Sequence, residues 1–277
     1  MKGEPFFLDQ RGSIFCIVSA PAPTASPRDT GVVILNAGTI HNVGPFRLSV
    51  DLAHSLTARG FPVMRLDQTG KGESFDARRE SNDRETLRRD TRLASAALEE
   101  RFGVTGIAFV GLCSGADHGL QVAGDLDRAA ALVMLDGWAP RDMRYFAARY
   151  LPKLRRPLEI PRLVLGRLSK MRRRPASDDA ILTDVMEMSG RRWDQAEMLN
   201  KLLALCEQKV PVLAIYTGDA DDYYSYPGQL RRNLSRRGVD TSCITERFNR
   251  ACKHLYPIVA QRGQLVKEVT DWLSDVA

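Results

Sequence analysis

The 277-residue chain lacks any apolar run approaching the ~18 residues that a membrane-spanning helix requires, which excludes a helical membrane protein. The stretch Ile14–Ala20 is apolar but short, and Asp9 and Arg11 precede it without a signal-peptide layout. It reads as an early strand, and the expected location is cytoplasmic. Cysteines are few and scattered: Cys16, Cys113, Cys206, Cys243 and Cys252. Their number is odd and no Cys-x-x-Cys pair occurs, which argues against a disulfide framework and a zinc site. Internal repeats and low-complexity tracts are missing too, so a solenoid or a disordered chain is not expected.

The charge is uneven. Of the net +6, the segment from Arg141 to Arg174 carries +10, from twelve basic residues against Asp142 and Glu159, and the remainder carries −4. The sequence pI of about 9.2 raises nucleic-acid binding as a reading. No recognised nucleic-acid motif accompanies the basic run Arg172-Arg173-Arg174, so no nucleic-acid partner is expected. The basic segment reads as a solvated helix surface or as a dock for an anionic partner.

Short apolar runs alternate with amphipathic stretches. Phe6–Leu8 and Ser13–Ser19 suit a leading hairpin. Val32–Leu35, Pro62–Leu66, Ile107–Val110, Ala131–Leu135 and Val212–Tyr216 read as buried strands. Helices are expected after Pro45, from about Arg84 to Phe102, from Ser114, near Leu230–Arg237 and at the C-terminus. This alternation predicts an α/β fold with a mostly parallel central sheet and helices on both faces. From Trp138 to about Leu205 the strand rhythm stops, and the pattern is helical and charged. The expected organisation is a core formed by residues 1–137 and 206–277, with a helical cap insertion at 138–205.

The sharpest local signal is Gly111-Leu112-Cys113-Ser114-Gly115, after a strand and at the start of a helix. A nucleophile elbow needs that setting: the central residue sits in a strained turn, so its neighbours two positions away must be small. The helix N-terminus favours the thiolate. Here the chain resembles the α/β-hydrolase superfamily. Its Gly-x-Cys-x-Gly elbow is similar to that of dienelactone hydrolases and polyhydroxyalkanoate synthases, and Gly-Leu-Cys-Ser-Gly-Ala is similar to the hydrolases that accompany exosortase systems. Asp67-Gln-Thr-Gly70-Lys-Gly72-Glu-Ser74 resembles the D-x-x-G-x-G-x-S loop after the fourth strand of that fold, and reads as structural.

The resemblance implies the order nucleophile, acid, histidine. Cys113 is then the nucleophile, with Ser114 as a rival disfavoured by elbow geometry. The pattern Gly-x-x-Asp selects Asp221 as the acid, with Asp219, Asp222 and Asp136 as alternatives. His254 falls where the superfamily's base falls, before the last helix. The oxyanion hole is expected from the backbone N–H groups of Ser114 and Thr39. Gly38, His41 and Trp138 are expected at the substrate pocket. No cofactor or metal is implied. The expected activity is acyl hydrolysis or transfer through an acyl-thioester enzyme, on an ester or thioester substrate that coenzyme A or a carrier protein could present. The competing reading is a non-catalytic relative that binds a small molecule or a partner.

Overall fold

A computed structural model describes residues 3–9, 13–74, 84–154, 194–220 and 222–277. Its centre is an eight-stranded sheet in the order β1-β2-β4-β3-β5-β6-β7-β8. The strands are β1 (Glu4–Phe7), β2 (Phe15–Ser19), β3 (Thr30–Ile34), β4 (Val63–Leu66), β5 (Gly106–Leu112), β6 (Ala129–Leu135), β7 (Val212–Thr217) and β8 (Ile244–Asn249). The leading hairpin β1–β2 is antiparallel, and β2 meets β4 antiparallel. From β4 through β8 every neighbouring pair is parallel. The central strands β3, β4 and β7 are buried at every position. That burial is why they are largely apolar, since helices cover both faces of the sheet; Arg65 in β4 is the charged exception.

On one face pack α2 (Arg84–Phe102), α3 (Ser114–Ala123) and α5 (Gln195–Glu207), bringing Ala94, Leu98, Leu120, Met198 and Leu202 into one core. α6 (Gln229–Ser235) adds Leu230 and Leu234 to it. On the other face α1 (Leu48–Thr57) and α7 (Val259–Val276) bury Leu52, Leu56, Leu265, Val269 and Leu273. In α2, Leu87, Thr91, Ala94 and Leu98 are buried along one face at three- and four-residue spacing, and Phe102 continues the stripe partly buried. Gly103 ends that helix at φ 66°, a conformation that costs glycine nothing.

Between β6 and β7 the described residues include α4 (Met143–Leu154) and α5 but no strand. Residues 155–193, the middle of the expected cap, lie outside the described residues. α4 is tied to the core: Tyr145 Oη donates to the Asp222 carbonyl (3.1 Å), and Arg149 pairs with Asp222 (2.9 Å). Arg144 lies over the Tyr226 ring, 4.5 Å from its centroid. Two arginines of the basic segment are therefore engaged within the molecule.

Candidate active site

The strand β5 delivers Cys113 to its C-terminal end, and α3 starts one residue later. Cys113 has φ 57° and ψ −121°, a conformation that costs a non-glycine residue about 1–3 kcal/mol. Its backbone is pinned on both sides. The N–H donates to the Leu135 carbonyl (2.8 Å), and its own carbonyl accepts from Ala116 (3.0 Å) and Asp117 (3.2 Å). The flanking glycines are sterically required. A Cβ at Gly111 would stand 2.2 Å from the Gly115 carbonyl carbon, and one at Gly115 would stand 2.5 Å from the Asn36 oxygen.

His254 lies on the loop between β8 and α7 and is half-buried, as is Cys113. Its Nδ1 is 2.8 Å from Oδ2 of Asp136. Asp136 follows directly after β6, has φ 48° and is buried. Its Oδ1 accepts from the Thr217 N–H and its Oδ2 from the Thr217 hydroxyl, each at 2.6 Å. The His254 ring also hydrogen-bonds to Cys113. The bond to Asp136 comes first, and that to Cys113 second, in pushing its pKa up to about 10 against the opposing effect of burial. Thiol, imidazole and carboxylate thus form one continuous chain, with the carboxylate innermost.

The carboxylate on the imidazole is therefore Asp136, one of the sequence alternatives. Asp221, which the Gly-x-x-Asp spacing favours, lies outside the described residues. Asp219 serves the backbone instead: its Oδ2 accepts from the His254 N–H (3.2 Å) and its Oδ1 from Lys253 Nζ (3.1 Å). Asp222 is the partner of Arg149. The loop after β7 holds the histidine's main chain, while the end of β6 holds its ring. Thr217, the donor that fixes Asp136, carries no local signal in the sequence; it is found only when β6 and β7 are laid side by side.

Ser114 is buried, and its hydroxyl accepts from the Gly38 N–H (2.8 Å). It faces the 36–41 loop. Its N–H belongs to the first turn of α3, where helix geometry supplies no acceptor. Gly38, at φ 57°, and the exposed Thr39 lie in the turn closed by the Ile40 N–H to the Ala37 carbonyl (3.0 Å). His41 is exposed on the same loop. Trp138 is buried, its N–H donating to Asp117 (2.7 Å) and its indole to Gln195 (2.8 Å). Its indole is tied to α5 rather than turned to solvent. Among the described residues no cluster of histidine, cysteine and carboxylate side chains could hold a metal ion. None of the described helices is long and apolar enough to cross a membrane.

No protein-family model and no curated protein matches the sequence. Solved structures do match in fold. A lidless α/β serine hydrolase from Xanthomonas campestris superposes with a TM-score of 0.57 at 15% identity, over 98% of this chain and 95% of the other. An esterase from Pyrococcus furiosus superposes with a TM-score of 0.62 at 12% identity, over 99% and 90%. An α/β serine hydrolase homologue from Coxiella burnetii gives a TM-score of 0.56 at 13% identity, over 99% and 97%. The architecture is the α/β-hydrolase fold.

Proposed function

We propose that the protein is an acyl hydrolase or acyltransferase that works through Cys113, His254 and Asp136. The observation that carries this reading is the His254 ring, bonded on one side to the buried Asp136 and on the other to the thiol of a strained elbow. Solved structures of the same fold include an esterase and serine hydrolases, which supports hydrolytic chemistry.

In this mechanism Nδ1 of His254 is held by Asp136, leaving Nε2 to take the Cys113 proton. The thiolate attacks the acyl carbonyl of an ester or thioester. The Ser114 and Thr39 N–H groups receive the developing oxyanion. The leaving group departs with a proton from His254 and leaves an acyl-thioester at Cys113. Water, or an amine, alcohol or thiol acceptor, gives up its proton to His254 and releases the acyl group. The segment from Arg141 to Arg174 is strongly basic. Its basic residues favour an anionic donor such as a coenzyme A or carrier-protein thioester.

Turnover of p-nitrophenyl esters and acyl thioesters by wild type and Cys113→Ala tests the reading. Wild type should process at least one donor, and the variant should lose on the order of a thousandfold or more in kcat/KM. Full activity in Cys113→Ala on every donor accepted by wild type would contradict it.

A further inference from the structure

The loop that carries Gly38 and Thr39 against the elbow is tethered at both ends to one buried carboxylate. Asp67, immediately after β4, is wholly buried. Its Oδ1 accepts from Asn36 Nδ2 (3.0 Å), and its Oδ2 accepts from Asn42 Nδ2 (2.8 Å) and the Glu73 N–H (3.1 Å). Asn36 completes the strap: its Oδ1 accepts from the Gln68 N–H (2.8 Å), and its Nδ2 also donates to the Ile40 carbonyl (2.9 Å). Asn42 is held from the far side by Arg65, which donates to its Oδ1 (3.2 Å) and its carbonyl (3.3 Å). Asn36 and Asn42 are buried as well.

The strap reaches the elbow directly. The Asn36 oxygen is the atom that a Cβ on Gly115 would strike, and the Gly38 N–H ends on the Ser114 hydroxyl. A displacement of Asn36 is therefore a displacement of the loop against the nucleophile's own turn. The 67–74 motif is shaped to permit this. At Gly72, φ 52°, a Cβ would stand 2.2 Å from Asp67 Oδ2, so only glycine lets the loop fold back over the carboxylate. Ser74 Oγ closes the loop on the Asp67 carbonyl (2.5 Å).

We propose that Asp67 is a positioning residue for acyl transfer: acting through Asn36 and Asn42, it sets where the 36–42 loop presents its backbone donors to the oxyanion. This rests on the acyl chemistry proposed above and gives the Asp67–Ser74 motif a role beyond turn formation. A donor displaced from where the oxyanion forms loses stabilisation that belongs to the transition state, not to the bound substrate. In Asp67→Asn one acceptor oxygen becomes an NH2 group that must face donors.

The test separates carbonyl chemistry from thiol reactivity. Alkylation by iodoacetamide, read at the Cys113 peptide, needs the nucleophile and His254 but no oxyanion donors. Asp67→Asn should lower kcat on acyl donors by on the order of a hundredfold, with KM and the alkylation rate changing by less than about threefold. Asn42→Ala, the milder lesion, should move in the same direction by on the order of tenfold. Hydrogen exchange is the readout that does not depend on any substrate: the Gly38 amide should exchange at least about tenfold faster in both variants, while the amides of Leu120–Ala123 stay protected. Unchanged kcat with unchanged exchange would overturn the proposal. So would a parallel fall of turnover and alkylation, which would mean general loosening of the site. A wild type that processes no acyl donor would refute the proposed function instead, and unchanged Gly38 exchange would then refute the strap independently.

Discussion

Cys113 and His254 are coupled through an unusually basic imidazole. With its pKa raised from about 6.5 to about 10, His254 holds a proton across the neutral range. Asp136→Asn removes the first cause, so the NMR titration of His254 should move down toward 6.5, and kcat/KM should fall on the order of a hundredfold or more. The same shift has a stability consequence. A raised pKa means that the folded state binds more protons than the unfolded state between about pH 6.5 and 10. The stabilisation is complete below 6.5 and is lost as pH rises through 10. Lys71 works in the opposite direction, because burial pulls its amine down to about 8. The difference between wild type and Asp136→Asn isolates the histidine: their thermal midpoints should converge as pH is raised from 6.5 to 10. A constant difference would mean that the imidazole is not the linked group.

The elbow's geometry is set by β5, α3 and the strand ends beside them. Gly111 faces the Gly115 backbone across the turn, and Gly115 faces the Asn36 carbonyl. Alanine at either position overpacks against backbone, which cannot rotate away, and should cost about 1–3 kcal/mol in chemical denaturation. Gly115→Ala should also impair turnover out of proportion to that cost, because it pushes on the 36–42 loop. Most elements were legible in the sequence. The burial of the inner parallel strands keeps them largely apolar, and Gly103 marks a helix end where backbone chemistry demands it. Pro45 lies short of its helix, because Phe46 and Arg47 take positive φ and α1 begins only at Leu48. Local patterning singles out Cys113 and His254 for a different reason: a strained turn needs small neighbours, and the superfamily that the elbow resembles places its base after the last strand. It leaves the acid open. Asp136 and the acidic loop Asp219–Asp222 both follow strand ends, and local patterning cannot decide which carboxylate lies beneath the imidazole. That depends on Thr217, which presents two donors to Asp136 across the β6–β7 register.

At the scale of the whole molecule, two cores on opposite faces of one sheet keep the strand ends in place. Leu202 on α5 is fully buried in the core that also receives α3. Leu202→Ala should cost about 2–5 kcal/mol and lower the thermal midpoint, yet leave the rate of Cys113 acylation at 25 °C nearly unchanged. A large fall in rate would mean that α5 positions α3 as well as stabilising it. The charge along the sequence is uneven, with +10 between Arg141 and Arg174. Salt should therefore depress kcat/KM for an anionic thioester while sparing a neutral ester. Equal salt responses would remove the basic segment from substrate recruitment. The central claim is that Cys113 becomes covalently acylated under the control of His254 and Asp136. Intact mass spectrometry after rapid mixing with acyl thioesters tests it most directly. The account predicts one acyl adduct on wild type that maps to Cys113, is absent from Cys113→Ala and forms far more slowly in Asp136→Asn. An adduct at another residue, or turnover undiminished in Cys113→Ala, would contradict it.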